Sequence, residues 1–338
     1  MLEQLPLILV ASGFVVTVIL SGAFARWTGC LTAEADESIL KLIIRILIPC
    51  LVFTVICDNP ALRDPRNLII PPLAGFASVT FGFMVCMLVA RLSPRINGLH
   101  TDAQRRSFAF CTGMYNYGYL AIPLIGFLFK EYPGTLGVLF VHNMGLEIGF
   151  WTLGVMVISG HFGRDWWRRA INPPSIAIIV ALATNFITAA RPQLEALGMP
   201  AWVGIPRFLM MAIESIGQMA IPLALVLIGA TIADQLLTAD KKTPAKQRAK
   251  TITLACMLRL CILPLCYLLV MTLVPATDDL KRVVAIEIAM PSAVFGVIMA
   301  RHYGGDSGTA LRIILATSFI GIITIPLWIS VGLAVLLP

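Results

Sequence analysis

Long apolar runs separated by short polar segments extend along the whole chain. Each of ten runs approaches the roughly 20 residues that a helix needs to cross the hydrocarbon core of a bilayer. The ten runs are residues 5–27, 39–57, 68–90, 105–129, 134–159, 173–190, 208–235, 251–273, 283–302 and 309–336. The pattern predicts an all-α polytopic membrane protein with ten transmembrane helices. The lipid bilayer is therefore a predicted partner.

The composition agrees with this interpretation, because hydrophobic residues make up 58% of the 338 and charged residues only 13%. A soluble domain carries roughly 25% charged residues. The net charge of +7 is not evidence for a nucleic-acid partner, since cytoplasmic loops of membrane proteins collect Lys and Arg. We expect no nucleic-acid partner. The eight cysteines include no CxxC pair, and the four histidines form no metal-binding or catalytic motif. We therefore expect no metal, no cofactor and no enzymatic activity.

The distribution of Lys and Arg predicts the orientation in the membrane. The loops after odd-numbered runs hold sixteen of these residues, and the loops after even-numbered runs hold seven. Because the loops rich in Lys and Arg are the cytoplasmic ones, both termini are predicted to be extracytoplasmic. Residues 161–172 and 236–250 are then predicted to be cytoplasmic.

Prolines inside the apolar runs indicate an internal repeat. Pro49 precedes Pro123 by 74 residues, and Pro222 precedes Pro291 by 69. Each pair joins the second and fourth runs of a five-run half, so the chain is predicted to contain two five-helix repeats. Since five is odd, the second repeat enters the membrane inverted, as in many secondary transporters. The repeats are residues 1–160 and 173–338, joined by a linker at 161–172.

The fourth run, CTGMYNYGYLAIPLIGFLF at residues 111–129, carries helix-breaking and hydrogen-bonding residues in its middle. A proline inside a helix removes one backbone hydrogen bond and clashes with the preceding turn. In lipid such a break persists only where the freed groups face protein or a water-filled cavity. Helices four and nine are therefore predicted to be broken, with positive half-helix N-termini facing a carboxylate near the membrane midplane.

Three stretches resemble the auxin efflux carrier family, which includes the plant PIN-formed proteins and bacterial organic-acid permeases. The stretch from Asn116 to Pro123 is similar to the family's N-x-x-x-x-G-x-P motif, with Ala121 in place of the glycine. MPSAVFGVIMARHYGGD at 290–306 looks like the family's second crossover. IPCLVF followed by CDNPALRDPRN looks like its second helix and the next loop. The similarity extends over nearly the whole chain.

The resemblance implies that helices four and nine cross and that a scaffold domain adjoins a transport domain. It implies a secondary transporter, in the exporting direction, of small organic anions such as carboxylates in a bacterial inner membrane. A homodimer through the scaffold helices is implied by the plant carriers. Their long hydrophilic central loop has no counterpart in this sequence, which argues against auxin as the substrate. The implied domains are scaffold residues 1–57 and 173–235 and transport residues 68–160 and 251–338.

The candidate substrate-binding residues lie at the predicted crossover and on neighbouring runs, where a polar side chain is costly unless it is sheltered. Buried Arg259 is expected to have a carboxylate partner. Glu147, Glu214 and Glu287 are candidates for proton or ion coupling, because a neutral carboxyl group is tolerated in lipid and its ionisation could carry a proton. The candidate substrate-binding residues are Asn116, Tyr117, Gly118, Pro123, Asn143, Glu147, Met290, Pro291, Arg45 and Gln218.

Simpler roles stay open for several of these residues. Asn116, Asn143 and Glu147 could form structural hydrogen bonds between helices. Glu214 could lie near the outer interface, and Arg45 could extend to the cytoplasmic surface. A sodium-coupled organic-anion symporter of similar fold and a non-transporting membrane ligand sensor remain as alternative functions.

Overall fold

The structure, a computed structural model, describes residues 5–118, 120–161, 171–196, 206–237 and 244–337. These residues are almost entirely helical, and eight of their helices are long and apolar enough to cross a membrane. The prediction of an all-α membrane protein is therefore confirmed. The helices are α1 (Leu5–Trp27), α2 (Ala33–Ile56), α3 (Arg66–Ala90), α4 (Asp102–Gly113), α5 (Ala121–Leu128), α6 (Pro133–Ser159), α7 (Pro173–Ala196), α8 (Arg207–Asp234), α9 (Ala245–Met271), α10 (Asp278–Glu287), α11 (Gly296–His302) and α12 (Ser307–Leu336).

The predicted fourth and ninth runs are each divided into two short helices. Helix α4 ends at Gly113, and α5 begins only at Ala121. Helix α10 ends at Glu287, and α11 begins at Gly296. Each of these four helices is too short to cross a bilayer alone, so the chain has non-helical backbone within two of its apolar runs.

The prolines of these runs do not occupy equivalent positions relative to the two interruptions. Pro123 is the third residue of α5, whereas Pro291 lies inside the non-helical segment 288–295. In the second run α2 continues past Pro49, with a π-helical turn at Ile43–Leu47 before it. Because Pro49 cannot donate to the carbonyl four residues earlier, widening the preceding turn keeps the helix continuous.

Helix α9 tolerates Pro264 because another helix bonds the backbone carbonyl that this proline frees. A π-helical turn at Leu258–Ile262 precedes Pro264, which has no N–H for the carbonyl of Leu260. The indole Nε1 of Trp328, on α12, donates to the Leu260 oxygen at 2.6 Å. A backbone acceptor within a membrane-spanning helix is thus satisfied by a side chain of the neighbouring helix, as lipid requires.

Two reciprocal glycine contacts hold helix pairs close together. A Cβ added to Gly22 of α1 would lie 1.9 Å from the Val226 oxygen, and one added to Gly229 of α8 would lie 1.8 Å from the Ile19 oxygen. The same arrangement joins α3 and α6. A Cβ on Gly75 would lie 2.4 Å from the oxygen of His142, and one on Gly145 would lie 1.8 Å from that of Pro72. Small residues permit such close approach of backbones in membranes.

The helices pack mainly within two groups. Helix α1 packs along α8, and α2 packs against α7 and α8. In the other group α3 packs on α4 and α6, while α12 packs on α4, α9, α10 and α11. Contacts between the groups are less extensive, and they include α1 with α5 and α12, and α2 with α6.

Gly145→Val is expected to prevent close packing of α3 on α6, because its side chain would overlap the Pro72 carbonyl, which is backbone and cannot rotate away. The expected cost is about 3 kcal/mol or more, at the upper end of overpacking effects. Thermal unfolding of the detergent-purified protein measures this. Gly13→Val is the control, since Gly13 is exposed on α1 and an added Cβ meets no atom within 4 Å. Equal melting temperatures for both variants would contradict the close contact.

Candidate functional site

The two non-helical segments hydrogen-bond to each other through their backbones. The N–H of Asn116 donates to the Pro291 oxygen at 2.9 Å, and the N–H of Ala293 donates to the Met114 oxygen at 3.1 Å. These two bonds form an antiparallel bridge between Tyr115 and Ser292. The interruptions therefore meet, and each supplies partners for peptide groups that the other leaves outside a helix. We call these two segments, residues 114–118 and 288–295, the crossover.

Two asparagines at the crossover keep hydrogen-bonding atoms available. Asn116 is 3% exposed, and its Nδ2 has no hydrogen-bond partner among the described residues. Asn143 of α6 donates from Nδ2 to the Tyr117 oxygen at 3.4 Å, while its Oδ1 has no partner in the same part of the chain. Buried polar atoms are normally paired, so an unpaired donor and an unpaired acceptor here are suited to a polar ligand.

Glu147 joins the crossover to the start of α7. Tyr117 donates from its hydroxyl to Glu147 Oε1 at 2.5 Å, and Trp151 donates from Nε1 to Oε2 at 2.9 Å. Asn172, just before α7, donates to the same Oε2 at 3.5 Å. Both carboxyl oxygens therefore have partners, and one of these lies in the other helix group. This geometry gives Glu147 a clear role in holding Tyr117 and in linking α6 to α7.

Glu287, at the end of α10, lies in a second and more deeply buried cluster. Its Oε2 is 3.0 Å from Nδ1 of His142 and accepts a hydrogen bond from the Tyr115 hydroxyl at 3.1 Å. The Tyr115 oxygen is also 3.0 Å from the hydroxyl of Ser78. Both side chains of the His142–Glu287 pair are only 2% exposed. Tyr115 thus connects this pair directly to the crossover backbone.

Among the described residues, the structure does not show the carboxylate partner that was expected for Arg259. The fully buried guanidinium lies over the ring of Tyr115, 5.0 Å from its centroid, and 5.8 Å from that of Tyr267. Its Nη1 approaches the Gly113 oxygen at 3.5 Å, at the end of α4. The negative end of a helix dipole and the negative faces of aromatic rings together replace the carboxylate.

An apolar cavity of about 480 Å³ lies between α3, α9 and α10, next to the Glu287 cluster. Leu73 and Val270 on its rim are exposed, so the cavity opens on the lipid-facing side of these helices. Tyr115, His142 and Glu287 form part of its inner wall. Asn116 is not among the residues that line this cavity.

The structure brings most, but not all, of the predicted site residues together. Pro123, Met290 and Pro291 are buried at the crossover, and Gly118 is half-buried beside Tyr117. Three other predicted residues, Arg45, Glu214 and Gln218, lie elsewhere. Arg45 is exposed on α2, and Gln218 is exposed on α8, where it donates to Glu214 at 3.4 Å. Arg45 makes no ion pair within the described chain, and none of these three has a described contact with the crossover. Their assignment to the site remains a prediction.

Sequence reasoning missed the Glu287 cluster, although it had singled out Glu287 itself. Its missed members are Ser78, Tyr115, His142 and Tyr267. The Tyr267 hydroxyl donates to the backbone carbonyl oxygen of Ser78 at 2.9 Å. One signal was available in the sequence. Asn143 and Glu147 are four residues apart and share one face of α6, so the adjacent His142 must point to a different face and needs its own partner.

A comparison of the sequence with known families identifies the class of protein. The family described as membrane transport protein matches residues 7–164 and 156–329, which together cover most of the chain. The chain belongs to this family. The family is auxin efflux carrier-like, so the resemblance seen in the sequence is confirmed. A relative from Methanothermobacter thermautotrophicus, described as an uncharacterized transporter, is 23% identical over 326 residues, or 93% of this chain and 95% of the relative.

In this membrane transport family member, Asn116→Ala is expected to cost little stability, because the amide nitrogen that it removes has no described partner. Asn97→Ala is the matched comparison, since Asn97 Nδ2 donates to three backbone oxygens, of Val89, Ala90 and Leu92. Loss of those bonds should cost about 1–3 kcal/mol. Thermal unfolding in detergent measures both. A drop for Asn116→Ala as large as that for Asn97→Ala would assign Asn116 to structure.

Proposed function

We propose that this protein is a secondary transporter that exports small organic anions, such as carboxylates, through a binding site at the crossover. The observation that carries the proposal is the buried Asn116 amide, whose Nδ2 lacks a described partner beside the two backbone bonds that join the interrupted helices. Membership of a transporter family supports a transport role for this site. We accordingly propose no enzymatic activity and no cofactor.

The chemistry of the crossover favours a carboxylate. Asn116 Nδ2 can donate to a carboxylate oxygen, and a hydrogen bond to a charged group is stronger than one between neutral groups. Helix α5 begins at Ala121 without a side-chain cap, so its positive end remains available to a negative group. We propose that Tyr117, Gly118 and Pro123 line this side of the site. Met290 and Pro291 line the opposite side, and Asn143 supplies an acceptor.

We propose alternating access by movement of one helix group against the other. The scaffold would be residues 1–57 and 173–235, and the transport domain would be residues 68–160 and 251–338. The closer packing within the two groups than between them supports this division. In this proposal the ten runs form two inverted five-helix repeats, as in other secondary transporters. The scaffold helices would also form the interface of a homodimer.

Coupling to an ion remains part of the proposal. Glu147, Glu214 and Glu287 are the candidate coupling groups, and Arg45 and Gln218 are candidates for the scaffold side of the pathway. Movement of the transport domain would have to bring α2 and α8 closer to the crossover for these last two residues to reach a ligand. We place the protein in a bacterial inner membrane, with both termini extracytoplasmic.

Asn116→Ala should weaken binding of the transported anion by roughly 10- to 150-fold, because it removes a neutral donor to a charged group. Pro123→Ala should reduce transport strongly in a protein that still inserts and folds, because alanine restores an N–H and lets α5 extend into the crossover. Exchange of radiolabelled lactate, succinate, malate or benzoate across proteoliposome membranes measures both effects.

Pro326→Ala serves as the control for the proline variant, since Pro326 lies inside α12 without interrupting it. This control should transport like the parent. If Asn116→Ala and Pro123→Ala both bind and move substrate like the parent, the binding site is not at the crossover. If the parent exchanges none of these anions, the proposed substrate class is wrong.

The orientation is tested by single-cysteine labelling. Lys246 is exposed near the start of α9, in the segment predicted to be cytoplasmic. In a background without exposed cysteines, Lys246→Cys should react with a membrane-impermeant maleimide only after the membrane is opened. Arg63→Cys, in the predicted extracytoplasmic loop before α3, should react in intact cells. The reverse pattern would overturn the orientation.

A further inference from the structure

Charge balance at the crossover poses a difficulty for an anionic substrate. The ionisable groups closest to the crossover among the described residues include two carboxyl groups, Glu147 and Glu287, and one guanidinium, Arg259. An anion beside Asn116 would add another negative charge to a site enclosed by protein and lipid. Unbalanced charge in such surroundings is costly. A positive charge that arrives with the anion would remove this cost.

The His142–Glu287 pair is deeply buried, and His142 Nδ1 forms no hydrogen bond with the described residues despite its short distance to the carboxyl group. An imidazole nitrogen lies 3.0 Å from a carboxylate oxygen, with both side chains 2% exposed. The other oxygen of Glu287, Oε1, is buried and has no hydrogen-bond partner in the described residues. Imidazole is the side chain whose charge changes most readily near neutral pH. For a neutral imidazole beside an ionised carboxylate, one added proton changes the net charge from −1 to zero.

The hydrogen bonds around the pair leave one carboxyl oxygen open to a proton, because Glu287 Oε1 accepts none from the described residues. Tyr115 contacts the pair from the crossover, and Tyr267 and Cys266 of α9 line the same cavity as the pair. The neutral Ser78 of α3 hydrogen-bonds to Tyr115, and Arg259 of α9 lies over the Tyr115 ring. Arg259 already carries a positive charge. Glu147 differs, because Tyr117 and Trp151 donate hydrogen bonds to its two oxygens.

Tyr115 links the state of the pair to the substrate site. Its hydroxyl donates to Glu287 Oε2, and its backbone lies in the bridge opposite Ser292. The next residue is Asn116, whose N–H is one of the two bridge donors. A change of charge on Glu287 alters the strength of the hydrogen bond that it accepts from Tyr115. Tyr115 directly precedes Asn116, the residue of the proposed anion site.

We propose that the His142–Glu287 pair takes up one proton when an organic anion binds beside Asn116, and that the proton and the anion cross the membrane together. The proton comes from the aqueous phase on the side where the site is open and is released with the anion on the other side. For a monocarboxylate the net charge of the crossover stays constant, and the net result is transport of the undissociated acid. This inference rests on the proposed function.

Proteoliposomes containing a trapped pH-sensitive dye test the inference, with the membrane potential clamped by valinomycin and potassium. Isotopic exchange of lactate at equal pH on both sides is measured first, because it tests anion transport without requiring net proton movement. Net lactate flux is then compared with the pH change inside. The parent should move about one proton per lactate. Permeation of lactic acid through protein-free liposomes is subtracted.

In Glu287→Gln, the lactate flux that remains should carry no proton, because the amide mimics the neutral carboxyl group and cannot take up a proton. His142→Gln should also lose the proton, and it should exchange more slowly because Glu287 then stays charged. The matched controls Glu131→Gln and His302→Gln alter exposed residues outside the crossover and should keep the parent ratio. Glu147→Gln should retain a proton ratio near that of the parent, whatever its exchange rate.

The outcomes separate the two proposals. Lactate exchange in the parent together with net lactate flux that carries no proton overturns this inference and leaves the proposed function intact. Loss of the proton in Glu147→Gln, or its retention in Glu287→Gln, also overturns the inference. If Glu287→Gln does not fold, the inference is still tested by the number of protons that the parent and His142→Gln move per lactate. If the parent exchanges neither lactate nor any other anion of the panel, the proposed function fails and this inference fails with it.

Discussion

Two backbone hydrogen bonds, from Asn116 to Pro291 and from Ala293 to Met114, are the contacts on which the rest of the site depends. In a bilayer every peptide group needs a partner within the protein, because lipid offers none. A single interrupted helix would leave several of these groups unpaired. Two interruptions that meet can bond to each other, so each break is tolerable only because the other is present. This mutual dependence places irregular backbone among otherwise regular helices.

The polar side chains around these bonds form two networks that differ in their surroundings. One runs through Tyr117 to Glu147 and Asn172, and thus reaches the neighbouring helix group. The other runs through Tyr115 to Glu287 and stays within one group. In the proposed movement the first network would have to break and re-form, whereas the second would move as a unit. A group that must stay charged or protonated throughout a movement is better placed in the second network.

The sequence predicted the helices well, because apolar length and turn chemistry are local properties. It also predicted a break in the fourth run, but at Pro123, whereas the interruption lies before this residue, between Gly113 and Ala121. It could not find the pairing of His142 with Glu287, since these residues are far apart in the chain and only the tertiary fold brings them together. For Arg259 it expected the simplest partner, a carboxylate. The structure uses aromatic rings and a helix end instead, which no spacing in the sequence indicates.

The glycine contacts explain why the buried network can be placed so accurately. Gly75 of α3 sits against the carbonyl of His142, so the backbone of that histidine is fixed by a neighbouring backbone and not by flexible side chains. Gly145 fixes the next turn of α6 against Pro72 in the same way. Between the helix groups the packing is less extensive. Stiff contacts within a group and weaker contacts between groups are what the proposed rigid-body movement requires, since such a movement would preserve the distances around Glu287 while it changes access to Asn116.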